Sequence, residues 1–389
     1  MDKVKILSVD DESDLELLLT QYFRREIRKG EYVFSFAHNG LEALEMLLKE
    51  KDYDIILSDI NMPEMDGLTL LTKINEMQNP ALKCIIVSAY GDMGNIRQAM
   101  NNGAFDFATK PIDLDDLSLT IEKAISQIEY IRRMEQEHQQ LEEIKNDLVI
   151  ASQIQQSILP RVFPPFPEYT DSIDISASMH AAKDVGGDFY DFFRIDDNHL
   201  GLVMADVSGK GIPAAIFMAV SRTIIRTTAL QGMSPSACLR HANKLISRES
   251  YDCMFVTVFY AIYDIRTGEI CYSNAGHLPP YILRENGEVT PLPMSPGLII
   301  GILDDFAFSE SKFLMEPGDT LFTFTDGVTE AMNIHREQFR EERLEKTLKC
   351  VTLSNCQQII DAVKADVVSF SNGAEQSDDI TMLALKRLQ

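Results

Sequence analysis

The sequence predicts two globular domains of different fold class, joined by one long helix. In the first part, continuous apolar runs of strand length alternate with helical patterns, which is typical of a doubly wound parallel sheet with helices on both faces. In the last part, many short strands separated by turn signals, with helices between them, indicate an α+β sandwich of antiparallel sheets flanked by helices. We therefore predict domains at residues 1–126 and 161–389, with a helical linker at 127–160.

In the first domain, the apolar runs predict five strands, at residues 4–9, 33–37, 55–58, 84–88 and 105–108. Helical patterns at 13–28 and 40–49 separate the first three. Ligands of such sheets sit at the carboxyl ends of the strands. Polar residues stand there in this sequence, namely Asp10, Asp11, Asp59, Ser88 and Lys110.

Three carboxylates that converge at one sheet edge repel each other unless a cation binds, and an all-oxygen site with few protein ligands suits Mg²⁺. A lysine and a hydroxyl beside them could contact a phosphoryl group on a carboxylate. The alternative is that these residues are helix caps and loop-end acids, which are common after strands. Five such residues at successive strand ends favour the site.

These residues resemble the receiver domain of bacterial response regulators. The resemblance covers essentially the whole domain and rests on five motifs, Val9–Glu12, Ser58–Pro63, Asp66–Gly67, Ser88–Ala89 and Thr109–Pro111. It implies a flavodoxin-like fold in which a histidine kinase phosphorylates Asp59.

The same resemblance implies that Asp11 and Asp59 hold Mg²⁺, with Asp10 nearby and the carbonyl of Asn61 as a further ligand. It also implies that Ser88 and Lys110 sense the phosphoryl group. Phe107 stands where the family has its aromatic switch residue. The family often has Tyr there, and Phe cannot make the hydroxyl contact, so the switch could differ in detail.

The linker pattern runs from Leu114 to Leu159 without Gly or Pro and is rich in helix formers. Apolar residues recur at heptad spacing, in rows that begin at Met134 and Ile144, which is typical of a coiled coil. The alternative is a single solvated helix that rests on its own domains. Pro160 and the prolines that follow end the helix and mark the entry to the last domain. The coiled-coil interpretation predicts a homodimer.

In the last domain, strand-like runs are predicted at 173–178, 200–205, 255–263, 270–274, 281–283, 320–325 and 380–385, and helices at 212–231, 235–249, 337–351 and 356–370. Acidic residues stand at strand ends or turns in four clusters, which contain Asp188, Asp206, Asp326 and the pair Asp378–Asp379. Oxygen ligands without His or Cys favour Mg²⁺ or Mn²⁺ over zinc. Two such ions can activate a water and clamp a phosphoryl oxygen. The alternative is that the Asp-Gly pairs are simply turns.

Other phosphoryl chemistry is not supported by the sequence. No cysteine has an Arg six positions further on, as a cysteine phosphatase needs, and Gly209-Lys210-Gly211 lacks the flanking residues of a Walker loop. His277 lies in a turn, where a lone histidine is more often structural.

The four clusters, with the segments 182–191 and 274–280, resemble the metal-dependent protein phosphatases of the SpoIIE type, relatives of the PP2C family. The resemblance implies a PP2C-like β-sandwich with two Mn²⁺ or Mg²⁺ ions. Asp206 would bridge both ions, with the carbonyl of Val207 on one of them. Asp326 and Asp378 would complete the first metal site, and Asp188 would lie at the second. Asp379 stands where eukaryotic relatives usually have Asn and this subgroup commonly has Asp, and we count it among the predicted metal ligands.

The composition of the chain limits the kinds of partner that it can bind. The chain has 60 acidic and 36 basic residues, a formal net charge of −24, which disfavours binding to nucleic acid or to anionic membranes. No apolar run is long enough to span a membrane, and there is no signal pattern or paired CxxC motif, so we expect a reduced, cytoplasmic protein without a zinc site.

We therefore predict a response regulator in which phosphorylation of Asp59 controls a metal-dependent protein serine/threonine phosphatase with Asp206, Asp326 and Asp378 as its catalytic acids. The family resemblance implies a phosphorylated anti-sigma factor antagonist as the substrate. The main alternative is a non-catalytic adaptor that binds a partner under control of the receiver. A DNA-binding regulator is a weaker alternative.

Overall fold

The computed structural model describes residues 3–89, 92–249 and 254–389, and the chain divides into two compact units, residues 1–144 and 145–389. Each unit has its own hydrophobic core. In the described part of the chain, no helix is both long enough and apolar enough to cross a bilayer.

The first unit is a five-stranded parallel sheet in the order β2-β1-β3-β4-β5. Its strands are β1 (Val4–Val9), β2 (Tyr32–Ala37), β3 (Ile55–Asp59), β4 (Lys83–Ala89) and β5 (Asp106–Lys110). Its helices are α1 (Ser13–Tyr22), α2 (Arg24–Lys29), α3 (Gly40–Lys49), α4 (Gly67–Glu76), α5 (Met93–Asn101) and the first part of α6 (Leu114–Ile158). One core lies on each face of the sheet, so the predicted doubly wound fold is confirmed.

The helix predicted at 13–28 is two helices, because the chain breaks at Phe23. The Phe23 side chain is buried and stacks on Phe34 of β2 at a centroid distance of 5.5 Å. The break therefore coincides with an aromatic anchor that fixes this corner of the unit.

The helix α6 is 45 residues long and unbroken, as predicted. Its first turns belong to the core of the first unit, where Leu117, Ile121 and Ile128 are buried. This packing explains why these residues follow a different phase from the heptad rows downstream. By contrast, Met134 and Leu141 are about half exposed, as expected of a seam that has no partner within the chain.

The second unit is a sandwich of two five-stranded sheets, in the orders β13-β10-β9-β8-β7 and β12-β11-β14-β15-β6. The strands are β6 (Ile173–His180), β7 (Phe189–Arg194), β8 (His199–Val207), β9 (Val256–Asp264), β10 (Glu269–Ala275), β11 (Tyr281–Leu283), β12 (Val289–Pro291), β13 (Ser311–Leu314), β14 (Thr320–Phe324) and β15 (Ile380–Arg387). All described pairings within both sheets are antiparallel.

The helices of the second unit flank the sandwich. They are α7 (Ile212–Ala229), α8 (Pro235–Glu249), α9 (Asp326–Thr329), α10 (Glu341–Lys349) and α11 (Cys356–Ser371). Residues from both sheets, such as Val203 and Leu383, share the central core, while Ile359 and Ile360 of α11 pack with Phe322 against the second sheet. The predicted α+β sandwich is therefore confirmed. The sequence did not predict β7, β12 or β13.

Candidate functional site

The carboxyl ends of β1 and β3 bring three carboxylates together in the first unit. Oxygen atoms of Asp10, Asp11 and Asp59 all lie within 4.8 Å of one another, and no other acidic, His or Cys trio in the described chain is gathered as closely. Asp10 and Asp59 are buried, whereas Asp11 is exposed. The juxtaposition predicted from the strand ends is therefore present.

Lys110, at the end of β5, neutralises much of this negative charge. Its ammonium nitrogen lies 2.8 Å from Asp10 Oδ2 and 2.6 Å from Asp59 Oδ2. Burial acts against the charged ammonium, but the hydrogen bonds to Asp10 and Asp59 outweigh it and raise the pKa of Lys110. The second oxygen of Asp59 accepts the N–H groups of Ile60, at 2.6 Å, and Asn61, at 3.3 Å.

Two predicted switch residues differ in their exposure. Ser88 is fully buried, and its hydroxyl has no hydrogen-bond partner among the described residues. Phe107 is 36% exposed on β5. Gly67 packs so closely under the site that a Cβ there would lie 2.1 Å from the carbonyl oxygen of Asp59. The backbone of the predicted phosphoacceptor is therefore held by a contact that only glycine allows.

In the second unit, five carboxylates meet at one end of the sandwich and come from both sheets. Asp188 directly precedes β7 and Asp206 lies near the end of β8, both in the first sheet. Asp326 follows β14 and begins α9, while the pair Asp378–Asp379 precedes β15, both in the second sheet. Four chain segments far apart in sequence thus supply the acids.

Burial and mutual repulsion raise the pKa values of three of these carboxylates, Asp188, Asp206 and Asp326. Burial, followed by the negative charge of Asp326, raises the pKa of Asp206 to about 7. Burial and the charges of Asp206 and Asp379 raise the pKa of Asp188 well above its usual value. Burial and the charge of Asp378 raise the pKa of Asp326. The site therefore carries more negative charge than its own residues neutralise.

Asp379 fixes the loop that carries Asp188. One of its oxygens accepts the N–H of Ala182 at 2.8 Å, and the other accepts the N–H groups of Gly187 at 2.6 Å and Asp188 at 3.3 Å. A Cβ at Gly186 would lie 2.4 Å from this carboxylate. The loop therefore needs glycine in order to approach Asp379.

A second close approach brings the carbonyl oxygen of Val207 to this loop, since a Cβ at Gly187 would lie 3.0 Å from it. On the opposite sheet, a Cβ at Gly327 would lie 1.9 Å from the carbonyl oxygen of Asp379. Glycines beside the acidic residues thus let separate backbone segments converge.

Sequence reasoning missed one residue that contacts this loop, Gln155 of α6. Its side-chain amide donates to the carbonyl oxygen of Gly186 at 2.6 Å, and its side-chain oxygen accepts the N–H of Gly186 at 3.0 Å. Gln155 is 7% exposed. The only signal in the sequence was that this polar residue interrupts an apolar heptad row.

Lys210 and His277 lie near the acids in different ways. Lys210 pairs with Asp378 at 2.9 Å and donates to the carbonyl oxygen of Ser377. His277 is buried and contacts the carbonyl oxygen of Phe324 at 3.1 Å and Thr257 Oγ1 at 2.8 Å. Burial lowers the pKa of His277 to about 4, so it is a neutral residue that ties strand ends together.

Both acidic sites fit a divalent cation. In the first unit, three carboxylate oxygens are close enough to share one ion. In the second unit, Asp188 Oδ2 is buried without a hydrogen-bond partner among the described residues, next to carboxylates that repel it. An oxygen-only donor set with uncompensated charge is the environment that Mg²⁺ and Mn²⁺ occupy in proteins.

Comparison with known proteins assigns a family to each unit. The family model of the response regulator receiver domain matches residues 6–122, and that of Stage II sporulation protein E (SpoIIE) matches residues 196–388. The phosphoserine phosphatase RsbU of Bacillus subtilis is 30% identical over 256 residues, which cover 65% of this chain and 74% of RsbU.

Protein IcfG of Synechocystis sp. is 33% identical over 262 residues, which cover 60% of this chain and 40% of IcfG, so the chain spans less than half of that relative. Among solved structures, the SiaA-PP2C domain of Pseudomonas aeruginosa aligns with a TM-score of 0.55 at 22% identity, over 63% of this chain and 97% of that one, and it supports the fold. The two resemblances inferred from the motifs are therefore confirmed. The chain belongs to the SpoIIE family of PP2C-like phosphatases and carries a response regulator receiver domain in its first unit.

Proposed function

We propose that this chain is a two-component response regulator in which phosphorylation of Asp59 controls a metal-dependent protein serine/threonine phosphatase. The observation that carries the proposal is the convergence of five carboxylates from four segments of the sandwich, in a chain that also holds a receiver-type acidic trio. We propose the boundaries 1–126 for the receiver, 127–160 for the linker and 161–389 for the phosphatase.

In the receiver, Asp11, Asp59 and the carbonyl of Asn61 would hold Mg²⁺, with Asp10 beside them. A histidine kinase would supply the phosphoryl group to Asp59. Lys110 is already hydrogen-bonded to this carboxylate, and the Ser88 hydroxyl has no partner among the residues that the structure describes. Phe107, which is partly exposed, would respond by changing its orientation.

In the phosphatase, Asp206, Asp326 and Asp378, with the carbonyl of Val207, would hold one Mn²⁺ or Mg²⁺ ion. Asp206 would share the second ion with Asp188. Asp379 stays a predicted ligand, although both of its oxygens accept backbone N–H groups.

Bound ions would supply an activated water and neutralise the phosphoryl oxygens. Among the chain's own groups, Asp379 would hold the Asp188 loop in place before substrate arrives.

The substrate we propose is a phosphoserine or phosphothreonine protein, specifically a phosphorylated anti-sigma factor antagonist. Support comes from the similarity to RsbU, whose name describes a phosphoserine phosphatase. Control by the receiver would reach the site through α6, since its Gln155 holds both backbone groups of Gly186 beside the Asp188 loop.

We also propose a homodimer formed through α6, whose heptad residues Met134, Leu141 and Ile144 are about half exposed. Leu141→Glu would place charges in the paired seam and shift the protein toward monomer in analytical ultracentrifugation. Gln140→Glu, on an exposed neighbouring position, is the matched control. A wild-type chain that sediments as a monomer at all concentrations would exclude this part of the proposal.

The test of the proposed function is hydrolysis of p-nitrophenyl phosphate and of a phosphoserine protein in Mn²⁺. Wild type, Asp206→Asn and the exposed control Asp305→Asn would each be assayed with and without beryllofluoride, which mimics a phosphoryl group on Asp59. We expect Asp206→Asn to lose at least about 100-fold in rate, since even residues that only support metal ligands contribute roughly 10–100-fold. The control should keep its activity.

A change of rate with beryllofluoride that disappears in Asp59→Asn would support control by the receiver. A rate that does not change with beryllofluoride would support the phosphatase activity but contradict control by the receiver. If neither substrate is hydrolysed with Mn²⁺ or Mg²⁺, the adaptor function becomes the better proposal.

A further inference from the structure

A second site lies in the phosphatase unit, where the end of α6 meets β7 and α7. A pocket of about 480 Å³ is lined there by apolar side chains, among them Phe166, Phe192 and Phe193. Four arginines complete the lining, and no acidic side chain is part of it. These arginines are Arg161, Arg194, Arg222 and Arg226. In a chain with a net charge of −24, this is an unusual concentration of positive charge.

The two inner arginines project from the same face of α7, because Arg222 and Arg226 are four residues apart. Both contact the buried carboxylate of Asp191 on β7. Arg226 Nη1 lies 2.7 and 3.0 Å from its two oxygens, and Arg222 Nη2 lies 3.0 Å from one of them. One carboxylate thus serves two guanidinium groups, and a positive charge is left over.

Arg222 is the more deeply placed of the two, with 11% of its side chain exposed. Its Nε is buried and has no hydrogen-bond partner among the described residues. A buried donor on a charged group that lacks a partner is costly, and native structures nearly always provide one from protein, water or ligand. The site therefore has donor capacity that the described residues do not use.

The outer arginines differ from this pair. Arg194 is bonded to Glu168 and Asp197, so its charge is already neutralised. Arg161 donates to the side-chain oxygen of Gln156, a neutral group, at 2.8 Å. Arg161 has no salt bridge to the described residues, so it adds a second positive charge to the lining of the pocket.

We propose that this pocket binds a small organic anion, in which a phosphate or carboxylate group is attached to an apolar or aromatic body. The planar fork of arginine matches both anionic groups. The pocket volume lies in the range of about 300–1,000 Å³ that is usual for small-molecule sites, so a bare inorganic ion would leave most of it unfilled. The aromatic walls would cover the ligand's apolar body.

The test is isothermal titration calorimetry of the full chain in EDTA, so that no divalent ion can hold an anion at the acidic site. The probes are phenylphosphonate and benzoate, with inorganic phosphate and phenol to separate the contributions of the charge and of the ring. We expect phenylphosphonate or benzoate to bind at least tenfold more tightly than inorganic phosphate or phenol. The better of the two identifies the anionic group.

Two variants locate the binding. Arg161→Gln removes a charge at the mouth, and Arg222→Lys keeps the charge beside Asp191 but removes the guanidinium fork. Each should weaken binding about tenfold, as expected for loss of a charge-assisted contact. Arg266→Gln, at an exposed arginine outside the pocket, should leave it unchanged.

Arg161 is exposed, so we expect the Arg161→Gln variant to fold. The test therefore stays valid even if Arg222→Lys fails to fold. Absence of binding by both ring-bearing anions at millimolar concentration would overturn the proposal. Equal binding in wild type and both pocket variants would do the same, as would inorganic phosphate that binds as tightly as phenylphosphonate and benzoate.

Discussion

The receiver unit gathers three carboxylates around one lysine, whereas the phosphatase unit gathers five carboxylates with a lysine at their margin. Lys110 lies within 2.8 Å of both buried acids of its site. Among the described residues, Lys210 forms a salt bridge with Asp378, and the side chains of this pair are 36% and 31% exposed. In the first site the protein's own cation contacts both buried acids and offsets one of their two negative charges, whereas in the second the lysine lies at the exposed margin.

Because of this difference, we expect the two sites to gain unequally from binding a metal ion. In the receiver site, a lysine already offsets part of the charge of the two buried acids. In the phosphatase site, burial and then the neighbouring carboxylates raise the pKa values of Asp188, Asp206 and Asp326, so these acids would gain more from bound cations. We expect metal removal to disturb the phosphatase unit more than the receiver.

The largest expected effect is the loss of stability when each of the two lysines is replaced by Met. Lys110→Met leaves two buried carboxylates without their cation, and we expect it to lower the free energy of unfolding by about 2–4 kcal/mol, slightly below the usual range for a fully buried pair because Lys110 is 23% exposed. Lys210→Met breaks a more exposed pair, and the expected loss is below about 1 kcal/mol. Scanning calorimetry in EDTA would resolve the transitions.

Mg²⁺ provides the internal control for this pair of variants. It should restore much of the stability that Lys110→Met loses, because a divalent ion can take over the charge of the ammonium group. Equal losses in both lysine variants would contradict the contrast between the sites.

A second prediction concerns the contact between α6 and the Asp188 loop. Gln155→Leu keeps the size of the side chain but removes both hydrogen bonds to Gly186. We expect the apparent affinity for Mn²⁺ to fall about tenfold, the lower end of the range for residues that support metal ligands. The measurement is phosphatase activity as a function of Mn²⁺ concentration, with the maximal rate determined separately.

The matched control is Gln153→Leu, an exposed glutamine two positions earlier on the same helix. It should leave the Mn²⁺ dependence unchanged. A Gln155→Leu protein with normal Mn²⁺ affinity would show that this helix holds the loop without affecting the metal site.

A third prediction is a pH dependence of stability in the absence of metal. The pKa of Asp206 is about 7 in the folded chain and near 3.8 when unperturbed, so the folded state binds its proton more tightly. The stabilising contribution of that proton is complete below about pH 4 and is lost as the pH rises through about 7. The melting temperature of wild type should therefore fall relative to that of Asp206→Asn over this range.

Circular dichroism melts in EDTA would measure this difference, since the chain has no tryptophan to follow. Asp305→Asn, at an exposed position, should track wild type at every pH. Saturating Mn²⁺ should flatten the wild-type slope. A difference between wild type and Asp206→Asn that is independent of pH would show that Asp206 titrates normally in the folded protein.

Most of the fold could be predicted from the sequence because local pattern and final structure agree. The apolar runs of the receiver are buried on both faces of its sheet, and those of β8 and β9 form the sandwich core. One of the strands that the sequence did not predict is β7, in which Asp191 interrupts an aromatic run. Its carboxylate is tolerated because Arg222 and Arg226 reach it from α7, a contact that no local pattern reveals.

The acidic site of the receiver was easier to predict from the sequence than that of the sandwich. Strand ends of one parallel sheet meet at one edge, so the trio of Asp10, Asp11 and Asp59 followed from strand assignment alone. The acids of the sandwich could be proposed only as a set, because their convergence depends on how two sheets pack. The role of Gln155 was not predictable, since its partner Gly186 is 31 residues away and meets it only after the helix docks.

The carboxylate of Asp379 has a consequence for the order in which activity can arise during synthesis. It anchors Ala182, Gly187 and Asp188, which precede it by between 191 and 197 residues. A nascent chain can therefore complete its receiver and much of the first sandwich sheet while the Asp188 loop still lacks its anchor. Contacts of such long sequence separation form late in folding. The acidic site of the second unit would therefore be completed only after the segment that carries Asp379 has been synthesised, by which time the receiver unit has long been available to fold.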